Sequence, residues 1–402
     1  TRLSGYLYEP IVTAGVISMG MDVILVGPLP TPAVPLMIKT LRADIGVMIT
    51  ASHNTYEYNG LKFFDNSGTK LTSSIEKEVE NIVLDNKKYS KISNNTFVSG
   101  NAKRLEDASG RYSEFLKSTL TKTPSKKRLK IILDCANGAT YNIAPNLFWE
   151  LGHNIIAINN NPDGLNINKN CGAVDTKSLS QIVIKEQADI GFAFDGDGDR
   201  LIVIDEKGKE VDGDKIIALL CKNYVKSRKK SNQHDVIITV MSNMGLEKYL
   251  TNKLKLKIKR TSVGDINVIN QMKKSKSTIG GEQSGHIILS EYSNSGDGIL
   301  AALKITEIIT SNKTKASKIF DLYNDLAQAK INLEYKAKNN KLLKIVTKLN
   351  SDKLYNNKKI RSLIRLSGTE PLVRILVEGQ ELNDVKNISM EIKKLIRPYL
   401  GK

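Results

Sequence analysis

The sequence predicts an α/β protein of several domains, on three observations: its length, its short β-rich apolar runs, and the helix-length segments between them. At 402 residues the chain exceeds what a single hydrophobic core usually organises, so a linear series of small domains is expected. The runs at 45–49, 130–133, 155–158, 190–194 and 236–240 are rich in Ile and Val with almost no polar interruption, the pattern of strands buried on both faces. Segments long enough for helices lie between them, which argues for repeated α/β units. Near the carboxyl end Leu382, Val385, Ile388, Ile392 and Leu395 recur at steps of three and four, predicting a helix with one apolar stripe laid on a core. Polar stretches at 85–101 and 205–214 predict joints, and a third at 339–354 predicts a loop inside the last domain.

Composition narrows the class. Apolar residues make up 40% of the chain without a run long enough to cross a bilayer, and no secretory signal opens it, so a cytoplasmic protein without a membrane partner is expected. Cys135, Cys171 and Cys221 are widely spaced and odd in number, which favours reduced thiols over a disulfide framework or a zinc site. The net charge of +18 first suggests nucleic acid. Its basic residues, however, are scattered in short runs such as Lys126-Lys127-Arg128 and Arg228-Lys229-Lys230, with few interleaved aromatics. That pattern reads as solvated faces, and a positive field also attracts a phosphorylated small molecule, so no nucleic-acid partner is expected.

Four constellations carry chemistry. In Asp195-Gly196-Asp197-Gly198-Asp199-Arg200, three carboxylates within five residues repel unless a cation or several hydrogen bonds neutralise them, and the glycines let the backbone curl so that all three face one centre. Hard oxygen ligands of this kind suit Mg²⁺ or Ca²⁺. A calcium-binding EF-hand loop is a rival, because Asp195, Asp197, Asp199 and Glu206 fall at its positions 1, 3, 5 and 12. Arg200 stands where that loop needs glycine, and strand-like runs flank the motif, so a metal loop between strands is the reading; the bland alternative is a solvated acidic turn.

Thr50-Ala51-Ser52-His53-Asn54 follows the first predicted strand, where a nucleophile is often placed. The hydrolase pattern Gly-x-Ser-x-Gly is absent, and on an extended strand His53 and Ser52 point to opposite sides. Gly280-Gly281-Glu282-Gln283-Ser284-Gly285-His286 offers the mixed donors and acceptors that sugar hydroxyls require, or else is a tight polar turn. Arg365-Leu366-Ser367-Gly368-Thr369-Glu370-Pro371, with Arg374 beyond, joins two predicted strands and supplies amides, hydroxyls and guanidinium groups for a dianionic phosphate; its alternative is an arginine-pinned hairpin.

These four motifs, in this order and spacing, resemble the α-D-phosphohexomutase family, whose serine, metal, sugar and phosphate loops come one from each of four domains. The runs 281–286 with Gln283, 134–140, 162–168 and 240–243 are similar to the branch of that family acting on glucosamine phosphates; the mannose and glucose branch usually has Met in place of Gln283. The resemblance implies three similar α/β domains with mixed sheets and a smaller α+β carboxy-terminal domain around a central cleft, divided at 1–105, 106–205, 206–317 and 318–402. It implies an intramolecular phosphotransferase in which Ser52 is phosphorylated, Asp195, Asp197 and Asp199 hold Mg²⁺ together with a phosphate oxygen on Ser52, and Arg200 orients that phosphate. Lys62 and His286 match proton-transfer positions, Glu282 and Ser284 sugar-hydroxyl contacts, and Arg365, Ser367, Gly368, Thr369 and Arg374 the distal phosphate site.

The implied substrate is a phosphorylated hexosamine. A glucosamine or glucose 1,6-bisphosphate serves as intermediate and activator, the last domain closes over the sugar, and the protein is a monomer or homodimer. Runner-up expectations are a mutase for mannose or glucose phosphates, an inactive relic of the family, and a basic binding protein. The opening Thr1-Arg2-Leu3-Ser4-Gly5 resembles an interior segment of the family's first domain, which implies a missing strand and glycine-rich loop bearing an active-site Arg, an exposed apolar edge and reduced activity. Thr55, Glu57 and Ile266 depart from residues common in the family.

Overall fold

The computed structural model describes every residue except 87, 89–98, 122–126, 228–234, 313, 337–338, 358, 368–370 and 402. Most of the joint expected at 85–101, Lys126, the run Arg228-Lys229-Lys230, and the candidate phosphate-site residues Gly368 and Thr369 lie outside the described residues. The chain divides into two units: Thr1–Thr239 with Leu256–Leu322, and Val240–Lys255 with Tyr323–Lys402.

In the first unit the amino-terminal strands are β1 (Val23–Leu25), β2 (Ile45–Ile49), β3 (Leu61–Asp65) and β4 (Ala102–Arg104). β1 pairs in parallel with β4, and β2 antiparallel with β3, as two separate two-stranded sheets. Helix Gly5–Ser18 buries none of its residues. Helix Ala33–Leu41 buries Val34 and Ile38 against Phe64 and Met48, fixing β2 and β3 in place.

A five-stranded sheet follows, in the order β6-β5-β7-β8-β9, from β5 (Lys130–Asp134), β6 (Asn154–Ile158), β7 (Ile190–Phe194), β8 (Leu201–Asp205) and β9 (Glu210–Val211). β5, β6 and β7 run parallel, β8 is antiparallel to β7, and β9 is antiparallel to β8. Every residue of β7 and β8 is buried, which is why β7 and residues 201–204 of β8 read as uninterrupted apolar runs before the buried Asp205. On one face Ile132, Ala193, Ile202 and Ile204 meet Leu179 and Val183 of helix Lys177–Lys185. The expected joint at 205–214 holds β9 at the edge of this sheet and the start of helix Gly213–Ser227, which leads out of it. A four-stranded sheet completes the unit in the order β11-β10-β12-β13, from β10 (Asp235–Thr239), β11 (Lys257–Thr261), β12 (Ile279–Gly281) and β13 (Ile287–Leu289).

The second unit is an antiparallel sheet, β14-β16-β15, of β14 (Ala327–Glu334), β15 (Ile360–Leu366) and β16 (Leu372–Gly379), covered by two helices. Here the structure corrects two expectations. Residues 339–354 are not a loop: helix Asn340–Ser351 fills them, started by the Asn339 side chain accepting the Leu342 N–H at 2.8 Å and held by buried Leu342, Val346 and Leu349. In helix Leu382–Ile396 the buried stripe is Val385, Ser389, Ile392 and Ile396, whereas Leu382 and Leu395 are exposed. The stripe is turned by the helix's approach to the sheet, and one small polar residue is buried on it.

Glu378, fully buried on β16, holds this unit together. Its carboxylate receives the Arg361 guanidinium at 2.7 Å, the Met244 N–H at 3.1 Å and the Gln328 amide at 2.7 Å, tying segment Val240–Lys255 to the sheet. Glu378→Ala leaves three donors facing an apolar methyl, one of them charged. The substitution is expected to destabilise this unit by about 3 kcal/mol, measured by urea unfolding.

Candidate active site

Three loops of the first unit meet where their strands end, the side on which open α/β sheets place ligands. Beyond β2, the Ser52 N–H is taken by the Thr50 hydroxyl at 2.9 Å and the chain turns sharply, with Ser52 at φ 50°. A left-handed non-glycine residue costs about 1–2 kcal/mol and is tolerated only where the surroundings impose it. The turn also corrects the expectation for His53: its Nδ1 comes within 3.5 Å of Ser52 Oγ, because the backbone is no longer extended there.

The acidic loop follows β7 directly. Asp195, Asp197 and Asp199 are all buried, with one ligand atom from each lying within 4.8 Å of the others. Close packing makes this possible: a Cβ on Gly196 would sit 2.6 Å from Asn168 Nδ2 and 2.8 Å from the Ser52 carbonyl oxygen. Gly198 at φ 70° completes the curl. Ser52 Oγ donates to Asp195 Oδ2 at 2.8 Å. Lys62, on β3, reaches Asp197 Oδ2 at 2.6 Å and Asp199 Oδ2 at 3.0 Å, and the Thr31 hydroxyl donates to Asp197 Oδ2 at 2.7 Å.

This donor set fits a hard divalent cation. Three carboxylates converge, and Asp197 Oδ1 and Asp199 Oδ1 are buried without a hydrogen-bond partner, an arrangement that is costly unless a cation satisfies them. The EF-hand alternative fails on geometry, because the Glu206 carboxylate is engaged elsewhere and accepts the Ser317 N–H at 2.8 Å.

The electrostatics are those of crowded carboxylates. Burial, then the neighbouring charges of Asp199 and Asp197, push the Asp195 carboxyl up. Burial opposes ionisation of Asp199 as well, but Lys62 and His286 outweigh it and hold that carboxyl well below the usual range. The Lys62 ammonium is disfavoured by burial, yet Asp197 and Asp199 keep it firmly protonated. Arg200 Nε stands 4.0 Å from both Asp195 and Asp199, and the backbone N–H of Arg200 donates to Asp195 Oδ1 at 3.1 Å.

The third loop joins β12 to β13. Its His286 is buried, with Nδ1 3.7 Å from Asp199 Oδ1, and Arg200 and His286 form a backbone bridge that fastens the second loop to the third. Glu282 is buried and accepts the Gly264 N–H at 3.0 Å, while Ser284 is exposed. Gly296 lies against the His286 ring, and the next residue, Asp297, caps helix Gly298–Asn312 by accepting the Leu300 N–H at 2.9 Å and the Tyr112 hydroxyl at 2.9 Å.

Asp297 supplies a pH prediction. Burial, against its hydrogen bonds, pushes its carboxyl from 3.8 to about 6. Between those values the folded chain keeps a proton that the unfolded chain has lost, so this group's contribution to stability falls as pH rises through the window and is constant above it. Asp297→Asn keeps the cap and removes the titration. The variant is expected to gain about 3 kcal/mol on the parent between pH 4 and pH 7, measured by denaturant unfolding at each pH.

Arg365, Ser367 and Arg374 belong to the second unit. Arg365 and Arg374 are directly opposed on β15 and β16, and the Ser367 N–H donates to the Leu372 carbonyl at 2.7 Å across the loop mouth. Burial and the neighbouring Arg374 lower the Arg365 guanidinium below its ordinary value. Two like charges at one hairpin end favour an anion between them.

Sequence reasoning missed Thr31, Arg2 and Asn168. Arg2 and Asn168 both donate to the carbonyls of Ser52 and Asn54. All three act across long sequence separations that no local pattern encodes, although Asn168 lies in the 162–168 run already singled out.

Against known proteins, the chain matches the phosphoglucomutase/phosphomannomutase family in four parts. Alpha/beta/alpha domain I matches residues 1–90, domain II 110–208, domain III 212–326 and the C-terminal domain 328–395. It is 44% identical over 405 residues to the phosphoglucosamine mutase of Thermodesulfovibrio yellowstonii, covering 100% of this chain and 89% of that one. It is 46% identical over 400 residues to that of Granulibacter bethesdensis, covering 98% and 86%. Among solved structures, a phosphoglucomutase/phosphomannomutase family protein from Burkholderia thailandensis superimposes with a TM-score of 0.84 at 22% identity, over 99% of this chain and 88% of its own. The N-acetylphosphoglucosamine mutase of Aspergillus fumigatus, solved with GlcNAc-6P and magnesium, gives a TM-score of 0.66 at 19% identity, over 98% and 99%. At these identities the two structures speak for the fold.

Proposed function

The chain belongs to the phosphoglucomutase/phosphomannomutase family, and from that premise we infer that it is a phosphoglucosamine mutase, interconverting glucosamine 6-phosphate and glucosamine 1-phosphate for UDP-N-acetylglucosamine and cell-wall synthesis. The observation that carries the catalytic part is the 2.8 Å contact between Ser52 Oγ and Asp195 Oδ2, at a triad with two carboxylate oxygens left unpartnered. It puts a half-buried, substrate-accessible hydroxyl against a cation-binding nest, as phosphoryl transfer at serine requires.

Asp195, Asp197 and Asp199 would hold Mg²⁺, which when bound would neutralise charge on the phosphate being transferred. Phospho-Ser52 passes its group to the free hydroxyl of the sugar phosphate, giving a 1,6-bisphosphate. The bisphosphate turns over and returns its other phosphate to Ser52. Arg200 and Lys62 set positive charge beside the transferring group, and Lys62 and His286 hold or move the hydroxyl proton. Glu282 and Ser284 contact sugar hydroxyls, while Arg365, Ser367, Gly368, Thr369 and Arg374 grip the far phosphate. The fourfold division at 1–105, 106–205, 206–317 and 318–402, a glucosamine or glucose 1,6-bisphosphate as activator, and a monomer or homodimer in a cytoplasmic setting complete the reading. No described helix is long and apolar enough to cross a membrane.

The test is turnover with Mg²⁺ on glucosamine 6-phosphate, glucose 6-phosphate and mannose 6-phosphate in parallel. Preference for the amino sugar is expected. Preference for a neutral sugar would transfer the chain to the other branch of the family.

A further inference from the structure

Two side chains from opposite ends of the first 170 residues converge on the backbone of the serine turn. Arg2 Nη2 donates to the carbonyl oxygens of Ser52 at 3.0 Å and Asn54 at 2.7 Å; Asn168 Nδ2 donates to the same two oxygens at 2.9 and 2.8 Å. Both donors are buried, Arg2 at 5% exposure and Asn168 at 3%. Each therefore sits between two carbonyls that are forced to point to one place. Such a pinch supports a turn with Ser52 at φ 50°, a conformation that a non-glycine residue holds only where its surroundings impose it.

The two clamps share a foundation. The Leu3 N–H donates to the Gly164 carbonyl at 2.9 Å, and the Thr1 hydroxyl to the Asn137 carbonyl at 2.7 Å, so the segment carrying Arg2 is bound to the wall that carries Asn168. Asn168 is itself left-handed at φ 57°, a conformation asparagine accepts more readily than most residues, and its N–H is taken by the Ala136 carbonyl at 2.9 Å. The acidic loop is packed against the same point: Gly196 has no room for a side chain because Asn168 Nδ2 and the Ser52 carbonyl fill it. Nucleophile loop, metal loop and Asn168 loop are thus locked at a single position.

We propose that Arg2 and Asn168 are positioning residues for the nucleophile, fixing Ser52 Oγ at the acidic triad by clamping the carbonyls of Ser52 and Asn54. The assignment rests on the mutase reading above, because it gives the clamp its purpose. Neither residue hydrogen-bonds a triad carboxylate, although the Arg2 charge acts through space on Asp197 and Asp195. The groups clamped are main-chain carbonyls, so the effect falls on the transfer step, and the uncharged Asn168 isolates it from charge. Loss of Oγ alignment by a fraction of an ångström slows phosphoryl transfer while leaving the sugar's own contacts intact.

The discriminating variant is Asn168→Asp, which keeps the shape but replaces a double donor with an acceptor facing two carbonyl oxygens. Asn168→Ala removes the donor without adding charge. Both are measured in the full chain by steady-state kinetics with Mg²⁺ and glucosamine 6-phosphate, and by the rate at which glucose 1,6-bisphosphate phosphorylates Ser52, read as intact mass. Circular dichroism and melting temperature are recorded alongside. The expected result for N168D is a fall in kcat of about 30-fold or more with KM changed less than about twofold, and slower phosphorylation of Ser52 in step with kcat. N168A should show the same split with a smaller fall. Arg2→Lys, which keeps the charge but loses the fork, should sit between the parent and Arg2→Ala.

If N168D does not fold, N168A carries the test. A folded N168A or N168D with the parent's kcat would overturn the proposal, as would variants whose only change is a lower melting temperature. Failure of the parent itself to convert glucosamine 6-phosphate would count against the functional reading instead, and the clamp would then be judged on the Ser52 phosphorylation rate alone.

Discussion

Ser52→Ala is expected to leave a folded protein that still binds Mg²⁺ and to lower turnover of glucosamine 6-phosphate by about 10⁴-fold or more. The size of the effect follows from the proposed role, in which the serine oxygen carries the phosphate between the two half-reactions and water cannot return it to the sugar. The fold should be preserved because Ser52 Oγ is only half-buried and its one strong contact is to Asp195 Oδ2. Removing that donor leaves Asp195 with the Arg200 N–H and with whatever cation the triad holds. The clamps on the Ser52 carbonyl are main-chain contacts and survive the substitution. Turnover within about tenfold of the parent would remove Ser52 from the mechanism.

Asp197→Asn should abolish the stabilisation conferred by Mg²⁺ and cost about 10²–10³-fold in turnover. In Asp197 one oxygen receives both Thr31 and Lys62, while the other is buried with no hydrogen-bond partner and is open to a cation. The amide keeps the volume and one acceptor, so the loop can stay closed. It removes a full negative charge and can present N–H groups to a site that already holds Lys62. In the parent, a cation at a hundred times its Kd should stabilise the folded state by about 2.7 kcal/mol, seen as an upward shift in melting temperature. For D197N that shift should vanish, a readout that does not depend on catalysis. An unchanged shift would mean that the cation binds elsewhere.

The parts of this molecule that could be read from sequence are those whose physics is local. β7 and the 201–204 part of β8 announced themselves because burial on both faces keeps polar residues out of the run. The acidic triad was readable for the same reason, three carboxylates within five residues being a statement about one place in space. Helix Asn340–Ser351 was hidden, because its three buried residues are set among Lys344, Thr347 and Lys348 in a stretch rich in Lys and Asn; Asn339 was the cap that could have marked it. Leu382 and Leu395 were assigned to the wrong face because periodicity defines a stripe but leaves its edges open. The clamp could not be read at all. Arg2 meets the serine turn from 50 residues away in sequence and Asn168 from 116, and their partners are carbonyl oxygens, which every residue possesses. The neighbour relation of Ser52 and His53 was misjudged because a left-handed serine follows from that clamp and from the Thr50 hydroxyl, not from its own preference.

The central claim is that Ser52 carries the phosphate that the sugar receives. The most direct measurement is a single-turnover chase: the chain is phosphorylated with radiolabelled glucose 1,6-bisphosphate, freed of the excess, and mixed with Mg²⁺ and unlabelled glucosamine 6-phosphate. The label should leave Ser52 and reappear in a bisphosphorylated glucosamine within one turnover. Label that stays on the protein, or is released only as inorganic phosphate, would contradict the account.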